Sequence, residues 1–126
     1  MARILVVDDD ADMLEACQLV LQQAGHEVQV ARTAEEGMQG VRRFKPELLI
    51  LDVMMAEPDD GIAMAQELRR TGFAAPILML TSIGRVTGME YGRNSEMVPV
   101  DEFVDKPVAP ATLVEKVSRL LGKRGG

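Results

Sequence analysis

The run Leu48-Leu49-Ile50-Leu51-Asp52-Val53-Met54-Met55 carries one carboxylate inside an otherwise unbroken apolar stretch. Four consecutive aliphatic residues with no polar alternation read as a strand covered on both faces, as in the centre of a parallel sheet. Asp52 then falls where that strand ends. In an open parallel sheet, ligands bind in the crevice at the carboxyl ends of the strands, so a lone acid there is a candidate site residue.

Two other runs have the same form. Ile4-Leu5-Val6-Val7 stops abruptly at Asp8-Asp9-Asp10, and Ile77-Leu78-Met79-Leu80 closes on Thr81 and Ser82. A shorter strand, Glu102-Phe103-Val104-Asp105, precedes Lys106-Pro107. Glu27-Val28-Gln29-Val30-Ala31 alternates polar and apolar residues, which predicts a half-buried strand at or near a sheet edge.

Helical spacing fills the intervals. Met13, Leu14, Cys17, Val20, Leu21 and Ala24 predict a helix over 11–24, with Gly25 as its left-handed stop. Thr33-Ala34-Glu35-Glu36 reads as a capping box opening a helix that ends near Phe44, ahead of Pro46. A third helix covers 62–70 with Gly72 past its end, and Pro110 opens a last one through Leu113, Val114, Val117, Leu120 and Leu121. Between 83 and 99, Gly84, Gly88 and Gly92 interrupt any helix, so an irregular loop with at most a short helical turn is expected. The alternation of strands and helices argues an α/β fold with helices on both faces of the sheet. Cys17 sits on a buried stripe, as a packed small hydrophobe rather than a reactive thiol. His26, the only histidine, reads as a turn residue and not a metal ligand.

Composition sets the bounds. The 126 residues suffice for one domain with a real core, and the net charge of −6 disfavours nucleic acid or an anionic membrane as partner. One cysteine excludes an internal disulfide and fits a cytoplasmic setting. The four apolar residues before Asp8 are too few for a signal-peptide core or a membrane span.

The polar strand ends converge at one pole if their strands are neighbours: Asp8 and Asp9, Asp52, Thr81 and Ser82 and, from the fifth strand, Lys106. Arg42, Arg43, Lys45, Arg69, Arg70, Lys123 and Arg124 fall at helix C-terminal ends, the opposite pole, where they suit the helix dipole. Carboxylates about 4 Å apart repel by roughly 4 kcal/mol at an effective dielectric near 20, so the cluster needs a proton or a cation. An all-oxygen site open to water favours Mg2+. Beside such an ion, Asp52 suits a carboxylate nucleophile that becomes an aspartyl phosphate. Lys106 would pair with one phosphoryl oxygen and the Thr81 hydroxyl would donate to another.

Together Ile4-Leu5-Val6-Val7-Asp8-Asp9-Asp10, Leu51-Asp52-Val53-Met54-Met55, Leu80-Thr81-Ser82 and Phe103-Val104-Asp105-Lys106-Pro107 resemble the receiver domain of two-component response regulators over essentially the whole chain. The resemblance implies a flavodoxin-like doubly wound sheet of five parallel strands in the order 2-1-3-4-5. It implies Asp52 as phosphoacceptor, with Asp9, Asp52 and the Met54 carbonyl on Mg2+ and Asp8 one water removed. Thr81 and Phe103 would form a switch pair, and Lys106 would hold the phosphate on a cis bond to Pro107. A sensor histidine kinase or phosphotransfer protein would supply the phosphoryl group, and a downstream protein or an output domain would read the switch.

Two departures from the family pattern stand out. The loop after Asp52 lacks a Pro after Met55 and carries Ala56-Glu57-Pro58 instead. The segment from Thr81 to Lys106 is long and glycine-rich where the family has its fourth helix, so an irregular or shortened helix is expected there. Residues 83–100 are expected to form a partner surface or a phosphorylation-sensitive lid. Residues 1–122 make up the expected receiver domain, with 123–126 a tail or the start of a linker. Two competing readings remain at this level. Asp8-Asp9-Asp10 after a strand resembles the nucleophile motif of haloacid-dehalogenase-type phosphatases, but Asp12 stands where that motif has Thr. A pseudo-receiver that only binds partners would not need the acceptor, the acids and the lysine together.

Overall fold

The β3 strand, Leu48–Asp52, is buried at every position, with Leu48, Leu49, Ile50 and Leu51 all at 0 % exposure. Its side chains divide between two apolar clusters. Leu48 and Ile50 join one, and Leu49 and Leu51 join the other. A strand with a core on each side has no face to offer a polar residue, which explains the unbroken aliphatic run.

The computed structural model describes residues 2–52, 60–81, 100–105 and 108–125. Around β3 the elements run β1 (Arg3–Val7), α1 (Ala11–Gln23), β2 (Glu27–Ala31) and α2 (Ala34–Phe44) before it. After it come α3 (Asp60–Arg70), β4 (Ile77–Thr81), β5 (Glu102–Asp105) and a C-terminal helix, α4 (Pro110–Gly125). The five strands form one sheet in the order β2-β1-β3-β4-β5, and every pairing is parallel. This is the expected flavodoxin-like order. Leu14, Cys17 and Leu21 of α1 and Leu113, Val117 and Leu120 of α4 cover one face. Ile62, Met64, Ala65 and Leu68 of α3 cover the other, with Met38 and Val41 of α2 packed against them.

The helix ends show why the chain turns where it does. Gly25 at φ 97 lets its N–H donate to Gln22 O at 3.0 Å and the His26 N–H to Leu21 O at 3.1 Å. Gly72 at φ 101 repeats this on α3, with Phe73 N–H donating to Leu68 O at 2.9 Å. Both are paired closures of the last turn around a left-handed residue, which glycine adopts without a Cβ penalty. Helix α2 ends instead on Lys45 at φ 53, ahead of Pro46. The Arg3 guanidinium donates to Phe44 O at 3.1 Å and to Lys45 O, meeting carbonyls that the helix leaves open.

Three details differ from the sequence reading. Glu36 N–H donates to Thr33 Oγ1 at 3.0 Å as a capping box requires, but the Glu36 carboxylate reaches past Thr33 to accept from the Arg32 N–H. Helix α3 starts at Asp60, two residues before the apolar periodicity begins. Val30 on the edge strand is 39 % exposed although Val28, two residues earlier, is buried beneath α1. Residues 83–99, expected to be irregular, lie outside the described residues.

Arg69 holds the sheet together at the pole away from the acids. Its guanidinium donates to Phe73 O and Ala75 O, both at 2.8 Å, and to Asp101 Oδ2 at 3.0 Å. The same Asp101 oxygen accepts the Ile77 N–H at 2.8 Å, so one residue ties the end of α3 to the starts of β4 and β5. Truncation of Arg69 to alanine is expected to cost about 1–2 kcal/mol, because solvent reaches and screens part of the Arg69–Asp101 pair. Arg69→Lys should recover little, because a single ammonium cannot span three acceptors in a fork. Urea melts of the two variants check this, and a lysine variant as stable as the parent would contradict it.

His26 adds a pH dependence at the same pole. Its Nδ1 accepts the Ala2 N–H at 3.1 Å, which requires the neutral ring. Burial pushes its pKa below the ordinary value of 6.5, against the pull of Glu47. The unfolded chain then binds the extra proton first, so stability falls as pH drops through 6.5 toward the lower folded-state value and levels off below it. Unfolding free energy is expected to be smaller at about pH 5.5 than at about pH 7.5, with a smaller drop in His26→Gln, whose amide oxygen accepts at either pH.

Candidate functional site

Because all five strands are parallel, their carboxyl ends share one pole. Val7 of β1 lies in register with Leu51 of β3, so Asp8 and Asp52 follow at the same level of two adjacent strands. Asp52 pairs with Leu80 of β4, and Thr81 pairs with Asp105 of β5. The sheet thus sets Asp8, Asp52, Thr81 and Asp105 along one edge.

The three consecutive acids after β1 do different work. Asp10 caps α1, its Oδ1 accepting the Asp12 N–H at 2.9 Å and the Met13 N–H at 3.4 Å. Asp8 turns inward, buried at 0 % exposure, with its Oδ1 accepting the Asp10 N–H at 2.9 Å. Asp9 stays exposed. Asp8, Asp9 and Asp52 each offer an oxygen within 4.8 Å of the others, and Asp52 is only 5 % exposed.

Two buried carboxylates at that spacing repel by about 3–4 kcal/mol at an effective dielectric near 20. The donor set is all oxygen, without the sulfur or imidazole that would favour zinc. One acid on the solvent side leaves room for the water shell that Mg2+ keeps. The residues present therefore fit a hard divalent cation.

Of the other predicted site residues, Phe103 is half-buried and packs against the cluster beneath α2 and α3, on β5 opposite Met79. The Thr81 backbone closes β4, but its side chain, Met54 and Lys106 lie outside the described residues. Cys17 is buried among the α1 contacts, as expected of a packed thiol. Sequence reasoning put Asp8 and Asp9 in the site and left Asp10 without a role. The signal was available, since Asp immediately before a helical period is a strong N-cap residue.

The fold and the site define a doubly wound α/β domain whose carboxylate cluster lies where such sheets bind their ligands, at the carboxyl ends of adjacent central strands. The family model of the response regulator receiver domain matches residues 4–118, and the chain belongs to that family, the receivers of two-component response regulators. It is 37 % identical over 123 residues to a probable transcriptional regulator, ycf27, of Pyropia yezoensis, covering 94 % of this chain and 47 % of the relative. It is 33 % identical over 123 residues to the alkaline phosphatase synthesis transcriptional regulatory protein PhoP of Bacillus subtilis, covering 94 % of this chain and 48 % of that protein. The chain spans about half the length of these curated relatives. Among solved structures, a CheY-like response regulator receiver domain protein from Methanospirillum hungatei superposes with a TM-score of 0.87. That match is 26 % identical and covers 99 % of this chain and 97 % of the other. Receiver domains generally bind Mg2+. Among the described residues, no helix is long and apolar enough to cross a membrane.

Proposed function

We propose that Asp52 accepts a phosphoryl group in a Mg2+-dependent reaction and that the modified domain changes its affinity for a partner. The observation that carries this reading is the meeting of three carboxylate oxygens within 4.8 Å around a nearly buried Asp52. Asp8, Asp9 and Asp52 would hold the ion, with the Met54 carbonyl as a further ligand. Mg2+ bound there would offset the charge of the acids and supply a Lewis acid for a phosphoryl oxygen. An Asp52 carboxylate oxygen attacks phosphorus, forming the O–P bond. The donor's N–P bond breaks, and its electron pair stays on the imidazole nitrogen of a phosphohistidine. Lys106 would neutralise a second phosphoryl oxygen, and the Thr81 hydroxyl would donate to a third.

The switch follows from Thr81 and Phe103. The Thr81 hydroxyl would be drawn to the phosphoryl group while the half-buried Phe103 ring turns inward. A partner that prefers one of the two arrangements converts this shift into a signal. The phosphoryl donor is a sensor histidine kinase or phosphotransfer protein. Similarity to transcriptional regulators of about twice this length supports an output in a separate domain or protein. Residues 1–122 would be the receiver, in a cytoplasmic setting, and 123–126 a tail or the start of a linker. Residues 83–100 would serve as the partner surface or lid.

Incubation with acetyl phosphate and Mg2+, followed by intact mass, tests the reading. The parent is expected to gain one hydroxylamine-labile phosphoryl group and Asp52→Ala none. Turnover of an added phosphomonoester that is lost in Asp8→Asn and kept in Asp52→Asn would favour a phosphatase instead.

A further inference from the structure

We propose that Gly37 is a positioning residue for the cation site, acting through Val7 on Asp8 and Asp9. The inference rests on the Mg2+ reading above and adds a determinant that touches neither the ion nor the phosphoryl group. Gly37 is buried in α2, where that helix crosses the tip of β1. A Cβ there would lie 2.7 Å from Met64 Cε, 3.0 Å from Val7 Cγ2 and 3.2 Å from Val7 Cγ1.

The two neighbours would respond differently. Met64 Cε ends a flexible side chain and can swing aside. Val7 is β-branched, stiff at χ1 and fully buried, in a strand hydrogen-bonded to β2 on one side and β3 on the other. A push on its methyls therefore passes into the backbone at the end of β1. Asp8 is the next residue, and Val7 is in register with Leu51, the residue before Asp52. Displacing Val7 separates oxygens that now lie within 4.8 Å of one another.

The same helix supplies a matched control. A Cβ at Gly40 would meet Leu5 Cδ2 at 3.0 Å and Cδ1 at 3.2 Å. Those atoms end a more flexible side chain, on a residue deeper in the strand. Gly37→Ala and Gly40→Ala add the same methyl to the same helix above the same strand, and they raise helix propensity alike. They differ in whether the contact abuts the acids.

Mg2+ titration calorimetry on the parent, Gly37→Ala, Gly40→Ala and Gly37→Ala/Val7→Ala decides the matter. Gly37→Ala is expected to bind Mg2+ about tenfold more weakly and Gly40→Ala within about twofold of the parent, the range seen when groups supporting metal ligands are altered. Adding Val7→Ala should restore the affinity. If Gly37→Ala does not fold, the comparison is repeated in a Met64→Ala background, which removes the tightest contact and leaves the one with Val7. Binding must still weaken there relative to Met64→Ala alone. Unchanged affinity in Gly37→Ala, an equal loss in Gly40→Ala, or no recovery with Val7→Ala would overturn the proposal while leaving the metal site intact. A parent that does not bind Mg2+ would overturn both, and is distinguishable for that reason.

Discussion

Asp8→Asn is expected to raise the melting temperature of the metal-free protein and to abolish most of its response to Mg2+. Asp8 and Asp52 are both buried with oxygens within 4.8 Å of each other, and the repulsion of about 3–4 kcal/mol between such a pair is present only when both are charged. Asparagine keeps an Oδ1 to accept the Asp10 N–H, so the local turn survives the exchange. Solvent and local rearrangement offset part of the gain, which leaves roughly 1–2 kcal/mol, or about 3–8 °C in Tm for a domain of this size. In the parent, Mg2+ at a hundred times its Kd should add about 2.7 kcal/mol of stability, and in Asp8→Asn much less. Thermal melts with and without Mg2+ read both effects. A variant that melts below the parent without metal, or gains as much from Mg2+, would contradict the electrostatic account.

Asp52→Asn is expected to end phosphoryl acceptance rather than slow it. The amide keeps the shape and buries the same surface but has no carboxylate oxygen to form the O–P bond. Asp9, though it belongs to the cluster, is exposed and one strand away, so it is not expected to substitute as acceptor. Circular dichroism and melting should show a folded protein at least as stable as the parent, for the reason given for Asp8. A phosphoryl adduct persisting on Asp52→Asn would move the nucleophile elsewhere.

Much of this was legible in the order of residues because the deciding features are local. Leu48 to Leu51 announce a strand with a core on both faces, and the acids after Val7 and Leu51 mark where two such strands end. The weak alternation of 27–31 marked an edge strand, and β2 lies at the edge. The motifs at Asp8–Asp10, Asp52, Thr81 and Lys106 together carry the resemblance to the receiver family in the sequence itself.

What was not legible depends on contacts between distant segments. Arg69 read as a cation at a helix end, but its second role depends on Asp101, 32 residues away, and no local pattern links the two. Gly37 and Gly40 look alike in sequence. Only the crossing of α2 over β1 sets one against Val7 and the other against Leu5. The reach of Glu36 to the Arg32 N–H, one residue beyond the capping-box partner, is likewise a matter of how the chain enters the helix.

The central claim, that the strand tips gather one cation beside Asp52, is tested most directly by adding Mn2+ as a paramagnetic substitute for Mg2+ and recording amide spectra. The amide signals of Asp8, Asp9, Asp10 and Asp52 are expected to broaden first. Those of Arg3, Glu27 and Ile77, at the far ends of strands about 13–17 Å long, should persist. Broadening centred on the far pole, or none at the acids, would contradict the account.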